Sequence, residues 1–223
     1  YSIAPYGIHK YPGKLGPSTT MMKEGYIFVY QDVRGRYKSE GTFTNMTPVI
    51  VNKKSKTDVD EGSDTYDTID WLIKNAANNN GNVGQWGISY PGFYTAAGIL
   101  SNHPALKASS PQAPISDFFF DDFHHNGAFL QSYFFTFPVF GVQKKDTTTT
   151  AWYNSQNIKT GTRDGYQFGL DLGPLSNADK YYKDNFFWQE TVNHPSYDEF
   201  WQKRGLLKHY TGGVKPAIMT GGG

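Results

Sequence analysis

The sequence predicts an α/β fold built on a mostly parallel sheet with helices on both of its faces. Three observations support this prediction. Strand-like and helix-compatible segments alternate through the first half of the chain, one strand passes into a helix through a glycine-bounded turn, and a long aromatic-rich stretch separates the last strand signal from the others. Strands that alternate with helices pair in parallel, because each helix returns the chain to the same end of the sheet.

The first elements follow from residue type and spacing. Residues 26–33 form an apolar, β-branched and aromatic run that predicts a buried strand, and a turn at 34–37 follows it. A polar, lysine-rich loop covers about 45–62. Apolar residues at helical spacing over 64–73 predict a helix, which the run NNNG at 78–81 ends.

That helix carries three aspartates on or near its polar side: Asp64, Asp67 and Asp70. Acidic side chains suit the positive end of a helix dipole, so a solvated helix start is the favoured interpretation and a metal site the weaker one. The sequence therefore predicts no metal centre here.

Residues 84–92, GQWGISYPG, hold the most informative residue, Ser89. A short apolar run before it predicts a buried strand, and the stretch FYTAAGIL at 93–100 is compatible with a helix. Gly87 lies two positions before the serine and Gly92 three after it. In such a tight turn any side chain at either glycine would collide with the neighbouring strand and helix.

This arrangement predicts a nucleophile elbow, in which the serine hydroxyl stands clear of the sheet and the next backbone N–H lies beside the reacting carbonyl. The alternative interpretation is a strand-to-helix turn that happens to contain a polar residue. The pattern departs from the common G-x-S-x-G, because Pro91 stands where the second glycine should be.

The second half of the chain differs in character. Residues 105–111 predict a short strand, and strand signals resume only at 214–219. We interpret the aromatic-rich, helix-compatible stretch between them as a helical cap inserted between two sheet strands. The predicted division is a core at 1–114, a cap at 115–205 and a return to the core sheet at 206–223. Both ends look cut, so we expect a part of a longer protein.

Composition excludes several classes of function. Among 223 residues, 21 Lys and Arg balance 20 Asp and Glu, so no basic stripe indicates nucleic acid. The chain has no cysteine, which excludes disulfides and thiolate metal sites, and no apolar run approaches the ~20 residues of a membrane span. Aromatic residues make up 17% of the chain and favour aromatic-lined cavities or a large aromatic core.

Seven short segments resemble one family in the same order along the chain. They are APY (4–6), QDVRGRY with SEG (31–41), DTIDWL (67–72), GISYPG (87–92), NHPALK (102–107), DDFH (121–124) and HPSYDEFW (194–201). The sequence thus resembles the α-amino acid ester hydrolases and their relatives cocaine esterase, the glutaryl-cephalosporin acylases and the X-Pro dipeptidyl-peptidases. In this family the extra residue of the elbow is usual, since its pattern is G-x-S-Y-x-G.

The resemblance implies an α/β-hydrolase core, an inserted helical cap and a jelly-roll domain beyond residue 223. It also implies a catalytic triad in the order Ser, Asp, His, with Ser89 as the nucleophile. The acid would follow the segment 217–222 by a few residues and the histidine would lie further on, so both are expected beyond Gly223. His209 precedes the last strand signal and is interpreted as a surface or capping residue.

Two further histidine positions are given structural interpretations. His103 opens a proline-containing turn. The adjacent His124 and His125 are expected on a helix, where they point in different directions, which is unfavourable for a shared metal ion.

The resemblance also assigns an oxyanion site and a substrate-binding carboxylate. The backbone N–H of Tyr90 and the side-chain hydroxyl of Tyr6 would donate to the oxyanion, with Tyr37 as a rival to Tyr6. Asp122, or failing it Asp121, would bind the α-ammonium group of the substrate. The alternative for this aspartate pair is a solvated helix start.

Together these observations predict a serine hydrolase of acyl esters or amides that works through an acyl-enzyme, with α-amino acid esters and β-lactam side chains as substrates. Its enzymatic alternatives are a glutaryl-cephalosporin acylase and an X-Pro dipeptidyl-peptidase. The alternative of another class is a non-catalytic fragment or binding domain that lacks the triad Asp and His. We expect activity from the full-length protein and none from this chain alone.

The expected partner is a small-molecule acyl ester or amide, without cofactor, metal, nucleic acid or membrane. A homo-oligomer is left open, and a periplasmic or secreted location is expected.

Overall fold

Parallel strand pairs form the centre of the fold. The structure, a computed structural model, describes residues 2–4, 18–141 and 158–222. Its strands are β1 (Ser2–Ala4), β2 (Tyr30–Asp32), β3 (Val83–Ile88), β4 (Leu106–Gln112), β5 (His124–His125), β6 (Ala128–Phe129) and β7 (Ala217–Ile218). β1 pairs with β2, and β4 lies between β3 and β7, all in parallel. The antiparallel pair β5–β6 is a separate short hairpin. The mostly parallel sheet is confirmed.

Helices connect these strands and fill the second half of the chain. They are α1 (Thr19–Lys23), α2 (Glu61–Asn75), α3 (Tyr90–Ile99), α4 (Phe137–Phe140), α5 (Gly165–Leu172), α6 (Asp179–Tyr182), α7 (Phe186–Asn193) and α8 (Glu199–Gln202). A π-helical turn covers Phe119–Phe123, and 3-10 turns cover Gln131–Thr136, Leu175–Ala178 and Leu207–His209. No helix in the described ranges is both long and apolar enough to cross a membrane.

Helix α2 begins where its sequence offers a capping box. Asp60 is the N-cap residue: its carboxylate accepts from the Ser63 N–H at 2.9 Å, and the Ser63 hydroxyl accepts from the Asp60 N–H at 2.8 Å. The helix therefore starts at Glu61, three residues before the predicted Asp64. It ends at Asn75, between the last predicted apolar position at 73 and the predicted stop at 78–81, and the Asn79 side chain donates to the Ile73 and Ala76 carbonyls.

The predicted strand at 26–33 is shorter than expected. Only Tyr30–Asp32 form β2, and Tyr26 and Ile27 are 62% and 49% exposed. The Tyr26 N–H bonds to the Met21 carbonyl at the end of α1 at 3.1 Å, so its backbone closes a helix and does not join the sheet.

One large hydrophobic core runs through most of the described chain. It includes Val33, the inner face of α3 and the buried aromatic side chains among the described residues of 115–205. The described part of that stretch is largely helical, which agrees with the sequence, but the hairpin β5–β6 was not expected there. The predicted division at 114/115 and 205/206 stays a prediction.

Candidate active site

Ser89 occupies the turn between β3 and α3 in a strained conformation. Its φ and ψ are 64° and −122°, and such a conformation costs a non-glycine residue roughly 1–3 kcal/mol. Its N–H donates to the Gln112 carbonyl of β4 at 3.0 Å, and its carbonyl accepts from the Phe93 N–H at 3.0 Å. Backbone bonds on both sides thus hold the turn, while the serine residue is exposed.

The two flanking glycines are required by close backbone approaches. A Cβ atom at Gly87 would lie 2.2 Å from the carbonyl oxygen of Pro91, and one at Gly92 would lie 2.6 Å from that of Gln112. Both distances are far below van der Waals contact. The predicted collision with helix and strand is confirmed, and it explains why the second glycine stands three positions after Ser89.

Pro91 fits the position that breaks the common pattern. It is the second residue of α3, where a backbone N–H would have no acceptor within the helix, so the missing donor of proline costs nothing there. The Thr95 hydroxyl donates to the Pro91 carbonyl at 2.9 Å and further secures this first turn.

Tyr90 is the first residue of α3, so its own N–H also lacks an acceptor within the helix. Its side chain is 1% exposed, and its hydroxyl donates to Asn45 Oδ1 at 2.9 Å and accepts from the Met46 N–H at 3.2 Å. Burial raises the pKa of Tyr90 well above its usual value, so the phenol stays protonated. The role of Asn45 was not predicted from the sequence, which placed it in a polar loop, whereas the residue is completely buried.

The end of the described chain reaches the same edge of the sheet. The Met219 N–H donates to the Ser109 carbonyl at 3.0 Å, and the Ala113 N–H donates to the Gly221 carbonyl at 2.6 Å. Gln112, whose carbonyl binds the Ser89 N–H, forms a parallel bridge with Gly221. The segment after which the resemblance places the triad acid therefore runs beside β4, the strand whose Gln112 carbonyl binds the Ser89 N–H.

The two candidate aspartates have different environments. Asp121 is exposed, and its Oδ2 accepts from the N–H groups of Ser116 and Asp117 at 2.7 and 3.0 Å, so it closes a turn. Asp122 is half-buried and accepts a short hydrogen bond from the hydroxyl of Tyr133, which the sequence also missed. Burial raises the pKa of Asp122; the Tyr133 bond opposes this rise and the charge of Asp121 adds to it.

The structure brings Ser89 and Tyr90 together at one turn. Among the described residues, no hydrogen bond joins either of them to Asp121 or Asp122, which belong to the π-helical turn after β4. Tyr6 lies outside the described residues.

The rival Tyr37 is buried and has a φ of 49°, within a turn anchored elsewhere. In that turn Arg34 pairs with Asp64 through two nitrogens, and the Ser39 hydroxyl donates to the Asp32 carbonyl at 2.6 Å. The turn therefore braces the start of α2 against the end of β2.

The four histidines weighed in the sequence analysis lie in surroundings that suit structural roles. His103 is buried, and its Nδ1 accepts from the Ala105 N–H at 3.1 Å. His124 is buried and stacks on Phe119 at 4.0 Å between ring centroids, while His125 is exposed. They lie on a strand and not on a helix as expected, and a strand also directs neighbours to opposite sides. His209 ends a 3-10 turn before β7, and burial lowers its pKa.

The described part of the chain contains no group of three or more His, Asp or Glu side chains arranged to hold a metal ion. In α2, Asp64 pairs with Arg34 and Asp70 with Lys74, as expected for a charged helix face.

Comparison with known proteins gives consistent matches along the whole chain. Residues 1–223 match the family model described as X-Pro dipeptidyl-peptidase (S15 family). Cocaine esterase from Rhodococcus sp. (strain MB1 Bresler) is 26% identical over 211 residues, which cover 90% of this chain and 34% of that protein. These matches confirm the resemblance seen in the sequence.

Two solved structures are similar in fold and in sequence. A selenomethionine-labelled α-amino acid ester hydrolase has a TM-score of 0.83 and 31% identity, and an aminopeptidase from the marine sediment archaeon Thaumarchaeota archaeon has a TM-score of 0.79 and 32% identity. Each match covers 99% of this chain and 37% of the other. The α/β-hydrolase core is thereby confirmed, and the chain spans about a third of the length of these relatives.

Proposed function

Because the chain belongs to the X-Pro dipeptidyl-peptidase (S15) family, we propose that Ser89 is the nucleophile of a hydrolase that cleaves acyl esters or amides through an acyl-enzyme. The observation that carries this proposal is the backbone of Ser89, held at φ 64° between β3 and α3 with the residue exposed. A strained polar residue at the end of a parallel strand is expected where its hydroxyl has a chemical task.

In this mechanism the Ser89 oxygen attacks the acyl carbon while a histidine outside residues 1–223 accepts the hydroxyl proton. An aspartate, also outside them, orients that histidine. The Tyr90 N–H and the Tyr6 hydroxyl donate to the oxyanion of the tetrahedral intermediate, and one such donor typically contributes about 3 kcal/mol. The histidine then protonates the leaving alcohol or amine. Water, deprotonated by the same histidine, hydrolyses the acyl-enzyme and regenerates the serine.

Labelling with a fluorophosphonate tests the nucleophile. We expect a longer protein that contains this chain to be labelled, Ser89→Ala to abolish the label, and Ser196→Ala, at an exposed serine after α7, to retain it. A label on the longer protein but not on residues 1–223 would agree with triad partners outside this chain. No label on either would contradict the proposal and favour a non-catalytic binding domain.

We further propose that the substrate carries an α-ammonium group and that Asp122 binds it. A half-buried carboxylate selects a cation, since an ion pair is strongest where water is excluded. Asp121 is less suited, because two backbone N–H groups already occupy its Oδ2. The names of both structural relatives, an α-amino acid ester hydrolase and an aminopeptidase, are consistent with such a substrate. Esters and amides of β-lactam side chains with an α-amine belong to the same class.

Matched esters with and without the α-ammonium group test this assignment. We expect Asp122→Asn to raise KM for the ammonium ester about tenfold or more, as for loss of a charged hydrogen bond, and to leave the neutral ester unchanged. Asp67→Asn, on the exposed side of α2, should affect neither ester. Equal effects of Asp122→Asn on both esters would contradict the proposal.

The raised pKa of Asp122 gives the same proposal a pH signature. Only the ionised carboxylate attracts ammonium, so kcat/KM for the ammonium ester should fall as the pH falls through the raised pKa of Asp122, above the usual value of ~4 for aspartate. The ratio of kcat/KM for the ammonium ester to that for the neutral ester isolates this titration, because protonation of the catalytic histidine lowers both values alike.

An X-Pro dipeptidyl-peptidase is the second candidate, because the free amino terminus of its substrate is also an α-ammonium group and the family model carries that description. Hydrolysis of an X-Pro p-nitroanilide would distinguish it. A glutaryl-cephalosporin acylase is disfavoured, since its anionic acyl group would meet the carboxylate of Asp122.

A further inference from the structure

A buried network holds the side chain of Tyr90 and reaches distant parts of the chain. The Tyr90 hydroxyl donates to Asn45 Oδ1 at 2.9 Å and accepts from the Met46 N–H at 3.2 Å. Asn45 extends the network in two directions: its Nδ2 donates to the Phe140 carbonyl at 2.5 Å, and its carbonyl accepts from Arg204 Nε at 3.3 Å. The loop after β2, the start of α3, the end of α4 and the residue that follows α8 by two positions thus meet at one asparagine.

This network acts on the peptide that the proposed mechanism uses. The N–H of Tyr90 belongs to the peptide that joins it to Ser89, and no acceptor within α3 fixes its direction. On the serine side, the turn is held by the bond from the Ser89 N–H to Gln112. On the tyrosine side the fixed points are the ring, packed against Phe118 and Phe140 at 5.9 and 5.3 Å between centroids, and the bonded hydroxyl.

Strain at Ser89 makes such anchoring necessary. A non-glycine residue at φ 64° stays there only when its surroundings leave it no relaxed alternative. Rotation of the Ser89–Tyr90 peptide would relieve the strain and would turn the N–H away from the position of the oxyanion. The Tyr90 side chain resists that rotation only if its own hydrogen-bond partners are fixed. Asn45 meets this condition, because it is completely buried.

On the basis of the proposed function, we infer that the Tyr90 hydroxyl and Asn45 are positioning residues for the oxyanion N–H of Tyr90. Neither group touches the substrate. They hold the first residue of α3 by its side chain, so the N–H is already directed when negative charge develops on the substrate oxygen. Through Phe140 and Arg204 the same asparagine ties this donor to the segment that follows β4.

Two matched Tyr→Phe substitutions in the full-length protein separate positioning from stability. Tyr90→Phe removes a buried hydroxyl beside the elbow, and Tyr182→Phe removes one that donates to the Phe134 carbonyl at 2.8 Å within the aromatic core. We expect similar losses of stability. The kcat of Tyr90→Phe should fall about tenfold to a hundredfold, part of the 10²–10³ that an oxyanion donor supplies, with KM nearly unchanged. Tyr182→Phe should keep its kcat within about twofold, since its contacts do not reach the turn.

Phenylboronic acid gives a readout that a purely structural role would not change. Boronic acids form a tetrahedral adduct with a nucleophilic serine hydroxyl, and one adduct oxygen takes the place of the oxyanion. The inhibition constant of phenylboronic acid should rise in Tyr90→Phe by about the same factor as kcat/KM falls. In Tyr182→Phe it should stay constant.

A double-mutant cycle tests the connection to Asn45. Asn45→Ala and Tyr90→Phe remove the two ends of one hydrogen bond, so the double variant should lose little more kcat than the worse single one. Additive losses would overturn the role of Asn45. Equal losses of kcat in Tyr90→Phe and Tyr182→Phe would overturn the whole inference, and this comparison stands even if Asn45→Ala fails to fold. Unlabelled wild-type protein would instead refute the proposed function, so the two failures are distinguishable.

Discussion

The elbow unit, β3–α3–β4 (residues 83–112), and the aromatic segment, residues 115–205 as far as they are described, achieve order in different ways. In the elbow unit single backbone approaches decide the geometry, as at Gly87, where a Cβ atom would lie 2.2 Å from a carbonyl oxygen. In the aromatic segment, packing contacts among many rings decide the geometry together. Its completely or almost completely buried side chains include Phe118, Phe123, Phe134, Phe137, Phe187, Trp188 and Trp201.

Helix length shows the same contrast. The helix of the elbow unit, α3, has 10 residues, whereas α4, α6 and α8 have four each. Helices this short are unstable alone in water, so packing of their side chains must maintain them. We therefore expect the elbow unit to be destabilised when an atom is added and the aromatic segment to be destabilised when atoms are removed.

The largest expected effect comes from removing a ring at the centre of the aromatic segment. Phe123 is 0% exposed and lies 4.9 Å from Phe118 and 5.3 Å from Phe187 between ring centroids. Phe123→Ala should lower the free energy of unfolding by about 3–5 kcal/mol, because it removes buried surface and leaves a cavity. Urea unfolding followed by tryptophan fluorescence would measure this.

Phe120, in the same π-helical turn but 56% exposed, is the matched control. Phe120→Ala should cost less than about 1 kcal/mol, as most exposed substitutions do. Equal losses at the two positions would show that the segment is not ordered around Phe123.

A smaller loss is expected when one methyl group is added to the elbow unit. Gly→Ala inside a helix normally stabilises it by up to ~1 kcal/mol. At Gly92 the new Cβ would lie 2.6 Å from the Gln112 carbonyl and 3.0 Å from Pro114 Cα, so we expect Gly92→Ala to destabilise by about 1–3 kcal/mol and to reduce fluorophosphonate labelling.

Gly84→Ala, in β3, is the control for the expected loss of stability in Gly92→Ala. Its nearest neighbour would be the Ala108 carbonyl oxygen at 3.9 Å, so the substitution should be neutral or slightly stabilising in the same unfolding assay. A stabilised Gly92→Ala protein would contradict the strained packing described for the elbow.

The same contrast explains what the sequence could predict. The turn at Ser89 depends on glycines within three positions, so it could be predicted residue by residue. Strands β4 and β7 also carry local signals, as does the end of α2 shortly before its asparagine run. The burial of Asn45 could not be predicted, because its partners Tyr90, Phe140 and Arg204 lie 45, 95 and 159 positions away.

Other differences have equally local or distant causes. The strand predicted at 26–33 is shortened because the Tyr26 N–H closes α1, a turn interaction that its apolar composition concealed. Tyr133 reaches Asp122 only because the short hairpin folds the chain back between them. In the aromatic segment, residue type predicted helices in general, but their boundaries depend on ring packing between distant residues.

The smallest expected effect compares one helix cap near the elbow unit with one in the aromatic segment. Asp60 caps α2, is 4% exposed and also accepts from the Ile50 N–H and Lys53 Nζ at 2.8 and 2.7 Å. Asp164 caps α5 and is exposed. Asp60→Ala should cost about 1–2 kcal/mol and Asp164→Ala about 0.5–1 kcal/mol, because only the first removes the acceptor of two further donors, the Ile50 N–H and Lys53 Nζ.

The Asp60 cap should also make the stability of the protein depend on pH. Burial alone would raise the pKa of Asp60, but the bonds from Lys53, Ile50 and Ser63 outweigh it and lower the pKa below its usual value. A carboxyl group with a lowered folded-state pKa stabilises the protein above its unfolded pKa of ~4, and that contribution is lost as the pH falls through the folded-state value. Asp60→Asn keeps a capping oxygen and cannot titrate. The stability difference between wild type and Asp60→Asn should therefore be largest near pH 6 and shrink below pH ~4. A difference that stays constant with pH would show that Asp60 acts through its hydrogen bonds alone.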